Sequence, residues 1–195
     1  MSKRKPASKS KSSRARGGVP RGTAGKVRPK PPKPVRPPSG EIEIIARGCL
    51  IRGSKVLLCQ NLKHGYFYLP GGHVEFCESA AAALAREVLE ESGLRVRVTD
   101  LALVSEGAFA TKKHHHHEFN LVFHVEHGGG VGGGWVGAAD ENPPIRSREA
   151  GIAFAWIELA AIPETDVRPV TAKAWLAAGA GRNPAAIEWV SEIQP

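Results

Sequence analysis

Three glutamates close together in the chain, Glu87, Glu90 and Glu91, have the clearest potential for chemistry. The alanine-rich segment around them favours a helix from about Ser79 to Ser92, with Gly93 as its stop. On such a helix the three carboxylates fall at i, i+3 and i+4 and share one face. A solvated acidic face is one interpretation. The other is a site for a hard divalent cation, since oxygen ligands of this kind suit Mg²⁺ or Mn²⁺.

The glutamates belong to a longer pattern that has many fixed positions. It reads Gly-x5-Glu-x7-Arg-Glu-Val-x-Glu-Glu-x-Gly-Leu, and these positions are filled by Gly72, Glu78, Arg86, Glu87, Val88, Glu90, Glu91, Gly93 and Leu94. In this spacing the sequence resembles the signature box of the Nudix hydrolase superfamily. A pattern of this length is far more specific than a lone glycine motif, and it makes the cation site the preferred interpretation.

The resemblance implies a role for each polar residue of the box. The three glutamates would bind the cation, Mg²⁺ or alternatively Mn²⁺, or in one case act as the base that activates water. The backbone carbonyl of Gly71 would complete the metal's ligands. Arg86 would pair with Glu78 and hold the preceding loop against the helix. The implied reaction is hydrolysis of a pyrophosphate bond, in which cations offset charge on phosphate oxygens.

One more acidic ligand is expected outside the box, because Nudix hydrolases usually recruit one from a nearby loop or strand. Glu118, which begins a predicted strand, and Glu149, which precedes another, are the two candidates. The sequence does not rank them. Four aromatic side chains are candidate stacking surfaces for a base or sugar, although such residues are more often part of a core. They are Tyr66, Phe67, Tyr68 and Phe109.

The substrate is less well defined by the sequence than the reaction. Relatives that hydrolyse ADP-ribose or dinucleoside polyphosphates carry a proline or a tyrosine past the box, where this chain has Phe109 and Thr111. The extended signature of coenzyme A pyrophosphatases is also missing. A nucleoside triphosphate or a nucleoside diphosphate derivative, including oxidised nucleotides, is therefore expected. The alternatives are an RNA 5′-end pyrophosphohydrolase and a non-catalytic Nudix module that senses nucleotides or binds nucleic acid.

Residues 41–195 must supply the elements that position the box. Apolar runs predict a hairpin that turns at residues 52–54 and three later strands. Helices are predicted near the C-terminus. The predicted ranges are 94–108, 118–126 and 152–157 for the strands, and 170–178 and 184–190 for the helices. This order resembles the α/β/α sandwich of Nudix proteins, with a mixed sheet and a loop-helix-loop motif at one sheet edge.

Two low-complexity stretches interrupt this order. The run His114–His117 lacks the fixed spacing of a zinc site, so a flexible loop is the preferred interpretation and a transition-metal site the alternative. The glycine-rich segment 128–134 has no following Lys-Ser or Lys-Thr and does not open a helix. It is predicted to be a flexible connection between strands.

The first forty residues form a separate basic region. They contain 13 of the 27 lysines and arginines, 8 of the 15 prolines and no acidic residue. Such a segment cannot bury a core and is predicted to be disordered. The remaining residues carry 14 basic and 19 acidic side chains, a formal net charge of −5. The tail is a solvated arm, an arm that binds nucleic acid through phosphate charge, or a targeting segment.

Cysteine usage and hydropathy bear on location. Three cysteines without paired spacing argue against a disulfide framework and favour a reducing cytoplasm. Cys49 and Cys59 lie in apolar runs and are predicted to be core residues. The sequence has no apolar run of about 18 residues, so a membrane partner is not expected. It gives no indication of an oligomeric state.

Overall fold

The computed structural model describes residues 40–111, 115–128, 142–180 and 187–193 of the chain. Four strands precede the first helix, and three more strands separate it from the helices near the C-terminus. In chain order the elements are β1 (Gly40–Cys49), β2 (Ile51–Arg52), β3 (Lys55–Asn61), β4 (Phe67–Tyr68), α1 (Ala80–Ser92), β5 (Val96–Ala110), β6 (His115–His127), β7 (Ile152–Glu158), a 3-10 helix (Leu159–Glu164), α2 (Val170–Ala177) and β8 (Glu188–Ser191).

The strands form two sheets. The first is mixed, with the order β1-β6-β5-β8: β1 is parallel to β6, β5 is antiparallel to β6, and β8 is parallel to β5. In the second sheet β3 pairs in antiparallel fashion with β2, β4 and β7. The predicted hairpin is the pair β2 and β3. The predicted α/β class with a mixed sheet is confirmed.

The core is divided between the two helices. Strand β3 is buried on both faces, which explains its unbroken apolar run from Val56 to Cys59. Val56 and Leu58 pack in a cluster with side chains of α2, whereas Leu57 packs in a cluster with side chains of α1. Alternate residues of a strand point to opposite faces, so β3 joins a helical layer on each side. Cys49 and Cys59 are buried free thiols, as predicted.

The prediction of a flexible loop at the histidine run is wrong for residues 115–117. These histidines begin β6 and pair with both β1 and β5. His116 Nδ1 lies 3.2 Å from the Glu43 carboxylate, and His117 Nε2 lies 2.9 Å from that of Glu106. Carboxylates on the neighbouring strands thus give the imidazoles partners, and a polar run becomes compatible with a sheet.

The prediction of a helix at 184–190 is wrong for its described part. Glu188, Trp189 and Val190 belong to β8, which adds a parallel strand to β5. Ala185 and Ala186, at the start of the predicted range, favour a helix. Trp189 and Val190 favour a strand, and the edge of the sheet at β5 is available to pair with it. The helix predicted at 170–178 is confirmed as α2.

Several predictions fall outside the described residues. They concern residues 1–39 of the basic tail, His114, most of the glycine-rich segment 128–134, and residues 184–186. The division of the chain after residue 40 stays a prediction. No helix in the described ranges combines the length and the apolar character that crossing a membrane requires.

Candidate active site

Helix α1 carries the three box glutamates, and both of its ends are fixed by local signals. At its start the Ser79 hydroxyl accepts a hydrogen bond from the Ala82 backbone N–H at 3.2 Å. At its end Gly93 adopts a left-handed φ of 75°, and its N–H donates to the Leu89 carbonyl. A serine before the first turn and a glycine after the last one are favoured caps. The predicted bounds of this helix are therefore confirmed.

Glu91 lies on α1 where an apolar side chain would be expected. Leu84 and Val88 form the buried stripe of the helix, and Glu91 follows Val88 one turn later on the same face. Glu91 is only 9% exposed, and its Oε2 has no hydrogen-bond partner in the part of the chain that the structure describes. A buried ionised carboxylate is costly unless it is paired. This position therefore calls for a proton or a cation.

Burial raises the pKa of Glu91 to about 7, with further increases from the negative charges of Glu149 and Glu87. The Arg47 guanidinium and a hydrogen bond from the Gly71 backbone N–H lower this pKa without offsetting the increase. A carboxyl group whose pKa lies near neutrality can gain or lose a proton at physiological pH. Such perturbed groups are enriched at functional sites.

Arg86 connects the other box carboxylates to the loop that precedes α1. Its Nη2 and Nε donate to the two carboxylate oxygens of Glu78 at 2.8 and 3.3 Å. Its Nη1 donates to Glu87 at 2.9 Å and to Glu90 at 3.4 Å, and Nη2 also reaches the His73 carbonyl at 3.3 Å. The pair of Arg86 and Glu78 that the resemblance implied is present, and it lowers the pKa of Glu78.

The three box glutamates lie in different environments. The Glu90 side chain is 61% exposed and that of Glu87 is 20% exposed, whereas Glu91 is buried. Arg86 holds Glu87 and Glu90, while Glu91 lies beside the Gly71 peptide. Within the described ranges, no three His, Cys, Asp or Glu side chains are close enough together to hold a metal ion. The shared helix face thus places the carboxylates in one region without bringing their oxygens to one point.

Two glycines let the loop approach α1 closely. Gly71 has a φ of +126°, and a β-carbon there would lie 2.1 Å from the Ala46 carbonyl oxygen. A β-carbon at Gly72 would lie 2.5 Å from the carboxyl carbon of Glu87. Neither distance occurs in real side-chain packing. The clash at Gly71 is with backbone, so this position requires glycine, whereas a methyl group at position 72 would have to displace the end of the Glu87 side chain.

The residues in this region fit a hard divalent cation. The available donors are carboxylate and carbonyl oxygens, the ligands that Mg²⁺ and Mn²⁺ prefer. Glu91 Oε2 is a buried acceptor without a partner among the described residues. Gly72 brings the loop backbone against Glu87 with no side chain between them. A cation would satisfy the first feature, and the second brings the oxygens of the loop backbone close to the Glu87 carboxylate.

The two acidic candidates outside the box lie in different places. Glu149 lies in the loop before β7, where the Arg148 N–H donates to the Glu91 carbonyl at 2.7 Å. The charge of Glu149 is among the causes that raise the pKa of Glu91, and Glu118 is not. Glu118 lies on β6 and accepts a hydrogen bond of 3.4 Å from Asn120. The structure therefore favours Glu149 as the neighbour of Glu91, and a metal-binding role for Glu118 stays a prediction.

The candidate stacking residues divide between the core and the surface. Phe67 packs against the core cluster of α2. Arginine side chains cover both tyrosine rings: Arg168 lies 4.6 Å from the centroid of Tyr66, and Arg47 lies 5.1 Å from that of Tyr68. Phe109 is 50% exposed and stacks on His116.

Two residues that the sequence did not single out for the site are Arg47 and Asn120. Arg47 Nη1 donates to the Gly71 carbonyl at 2.6 Å, and Arg47 Nε donates to Asn120 Oδ1 at 3.4 Å. Asn120 is only 2% exposed although it is polar. The sequence did contain a signal for both residues. Arg47 lies in the apolar run 44–51 and Asn120 lies inside a predicted strand, and a polar side chain that is buried in such a place needs a hydrogen-bond partner.

Curated relatives resemble part of the chain. A Mycobacterium tuberculosis protein provisionally named 8-oxo-dGTP diphosphatase 2 is 43% identical over 65 residues, which are 31% of this chain and 45% of that protein. The 8-oxo-dGDP phosphatase NUDT18 of Danio rerio is 45% identical over 64 residues, which are 30% of this chain and 20% of that protein. The chain thus spans less than half the length of these relatives.

Solved structures and a family model cover more of the chain. The solution structure of the E. coli ORF135 protein covers 75% of this chain and 96% of its own at 21% identity, with a TM-score of 0.53. The crystal structure of a MutT protein from Methanosarcina mazei covers 71% and 93% at 22% identity, also with a TM-score of 0.53. These likenesses show a shared fold. The model of the NUDIX domain matches residues 43–176, more than half of the chain, and the chain therefore belongs to the Nudix family.

Proposed function

We propose that the protein is a pyrophosphohydrolase that depends on a divalent metal and cleaves a diphosphate linkage in a nucleotide. The observation that carries this proposal is the buried Glu91 carboxylate beside the Gly71 peptide, with an Oε2 that no described residue satisfies. Buried carboxylates with a perturbed pKa are enriched at functional sites, where a reaction or a bound cation offsets their cost. The complete signature box from Gly72 to Leu94 supports the same function.

Mg²⁺ is the proposed cation and Mn²⁺ is the alternative. The groups that would hold it are the carboxylates of Glu87, Glu90 and Glu91 and the carbonyl of Gly71. When bound, such a cation supplies positive charge to phosphate oxygens and makes water a better nucleophile near neutral pH.

The protein's own residues perform the remaining tasks. Arg86 ties Glu78 and the loop to α1, so that the Gly71 carbonyl and the box glutamates keep fixed relative positions. Glu91 is shielded from solvent by the residues that pack around it. The proton of the attacking water would pass to a box glutamate or to Glu149, whose charge already acts on Glu91.

Oxidised purine nucleotides are the substrates to test first. The curated relatives are named for 8-oxo-dGTP and 8-oxo-dGDP. The chain lacks the residues by which relatives specific for ADP-ribose, dinucleoside polyphosphates and coenzyme A are recognised. A nucleoside triphosphate or a nucleoside diphosphate derivative therefore remains the proposed class, with 8-oxo-purine forms as its first members.

A panel of nucleotides tests this function. Purified protein would be incubated at millimolar Mg²⁺ with 8-oxo-dGTP, 8-oxo-dGDP, dGTP, ADP-ribose and 5′-triphosphorylated RNA, and the products separated by chromatography. We expect turnover of a free nucleotide with release of phosphate or pyrophosphate. Preferred turnover of the RNA would instead support the 5′-end activity. No turnover of any compound would support a module that only binds.

Matched variants assign the turnover to the box. Glu90→Gln and Glu91→Gln each remove a ligand's charge without changing its volume, and each should lower kcat by about a thousandfold. The control is Glu126→Gln, since Glu126 forms a surface pair with Arg97. Activity close to that of the wild type in either box variant would contradict the proposed role of that glutamate.

A further inference from the structure

The segment 69–72 ends at Gly72, the first residue of the box. It lies along β1 and is held there through its carbonyl groups. The Pro70 carbonyl accepts a hydrogen bond from the Gly48 N–H at 2.8 Å, and the Gly72 carbonyl accepts one from the Ala46 N–H at 2.9 Å. The backbone of β1 thus fixes two alternate carbonyls of the segment.

The other two carbonyls are fixed by a side chain of the same strand. Arg47 Nη1 donates to the Gly71 carbonyl at 2.6 Å and to the Leu69 carbonyl at 3.3 Å. A guanidinium can hold two acceptors at once because its donors are rigid and planar. Arg47 therefore completes, with its side chain, the set of contacts that the β1 backbone begins.

Arg47 is itself held in place from two sides. Its guanidinium lies 5.1 Å from the centroid of the Tyr68 ring, and its Nε donates to Asn120 Oδ1 at 3.4 Å. The buried Asn120 amide in turn donates to Glu118 at 3.4 Å. A side chain restrained in this way loses little further freedom when it orients an acceptor.

Gly71 lies between two charged groups as a result. Its backbone lies beside the Glu91 carboxylate, and its carbonyl accepts a hydrogen bond from Arg47. Its φ of +126° is a backbone conformation that glycine adopts readily and other residues rarely adopt. The direction of the Gly71 carbonyl thus depends on Arg47 more directly than on any capping or packing contact described above.

We propose that Arg47 is a positioning residue of the metal site: it sets the direction of the Gly71 carbonyl toward the cation that this carbonyl would help to hold. This inference rests on the proposed function, because only a metal-binding Gly71 gives the contact a catalytic consequence. Residues that orient a metal ligand typically change metal affinity or activity by about 10- to 100-fold when they are replaced.

The variants Arg47→Met and Arg47→Lys test the inference, with Arg168→Met as the matched control. Arg168 also covers a tyrosine ring, but it pairs with Asp166 rather than with the Gly71 carbonyl. For each protein one would measure the rise in Tm against Mg²⁺ concentration, Mn²⁺ binding by electron paramagnetic resonance, and kcat and KM at saturating metal. The melting temperature in EDTA reports whether each variant folds.

For Arg47→Met we expect the metal concentration at half-saturation to rise about 10- to 100-fold, with nucleotide KM at saturating metal close to that of the wild type. Arg47→Lys keeps the positive charge but lacks the planar fork that also holds Asn120, so it should lie in between, and Arg168→Met should match the wild type. Unchanged metal binding in both Arg47 variants would overturn the inference. So would a raised KM with unchanged metal binding, which would make Arg47 a substrate contact. If wild-type protein neither bound metal nor turned over nucleotide, the proposed function itself would fail.

Discussion

Gly72 lies so close to Glu87 that a β-carbon at position 72 would fall 2.5 Å from the Glu87 carboxyl carbon and 2.7 Å from both of its oxygens. The φ of Gly72 is not positive, so the requirement for glycine here is one of space. The first glycine of the box is therefore coupled to a glutamate of α1 through contact, although 15 positions separate them in the sequence.

Gly72→Ala should displace the Glu87 carboxylate while leaving the fold intact. Misplacing a reacting group by about 1 Å can lower the rate about a hundredfold, and we expect a loss of kcat of that size. Enzyme kinetics and the Tm in EDTA would be measured together. The control is Gly107→Ala, because a β-carbon there would meet only Glu192, at an ordinary 3.7 Å. A Gly72→Ala enzyme with wild-type kcat would show that the position of Glu87 is not critical.

The sequence predicted the parts of the site that depend on neighbours along the chain. Helix α1 was predictable because Ser79 and Gly93 are its caps, and the pair of Arg86 with Glu78 followed from the box. Strands β5 and β7 begin and end within about two residues of the predicted ranges, since the existence and type of long segments rich in β-forming residues are the easiest to predict.

The parts that were not predicted depend on contacts between distant segments. The burial of Glu91 requires the loop around Gly71 and the loop with Glu149 to close over α1. Arg47 becomes a site residue only because 69–72 pairs with β1. His115–His117 enter a strand because Glu43 and Glu106 lie beside them on neighbouring strands. Local propensity contains none of this information.

The free energy of unfolding in EDTA should depend on pH through Glu91. Its pKa is about 7 in the folded protein against 4.5 for the free group, so the folded state binds more protons between these values. Stability should therefore fall as pH rises from about 4.5 to about 7, by an amount on the order of 1–3 kcal/mol. Urea unfolding at several pH values would measure the slope.

Glu91→Gln and Mg²⁺ provide the two comparisons for this slope. The variant cannot ionise at position 91, so its loss of stability over the same pH range should be smaller. Saturating Mg²⁺ favours the ionised carboxylate and should raise the Tm of the wild type most at the upper end of the range. Identical pH profiles for wild type and Glu91→Gln in EDTA would show that Glu91 does not have a raised pKa.

Arg86→Lys should loosen the loop while keeping a positive charge. A lysine cannot reproduce the two parallel contacts to Glu78 together with those to Glu87 and the His73 carbonyl. We expect kcat to fall by about 10- to 100-fold and amide hydrogen exchange in residues 73–78 to become faster. The control is Arg97→Lys, because Arg97 forms an ion pair with Glu126 on the surface. Unchanged exchange in the loop would argue that Arg86 does not hold it.

The basic tail is predicted to act separately from the box. A truncated protein that begins at Glu41 should hydrolyse small nucleotides with unchanged kinetics, because no residue of the tail belongs to the box. It should also lose affinity for nucleic acid, since 13 cationic side chains are removed and the remaining residues have a formal charge of −5. Nucleotide assays and binding titrations with RNA and DNA would compare the two proteins.

Salt dependence separates an electrostatic arm from a merely solvated one. If the tail neutralises several phosphates, binding by the full chain should weaken steeply between low and physiological salt, because counterions released on binding oppose it. The truncated protein should bind poorly at both salt concentrations. Equal binding by both proteins would remove the arm as an explanation and leave a solvated segment. A truncation that abolished turnover of small nucleotides would instead place the boundary of the catalytic domain before residue 41.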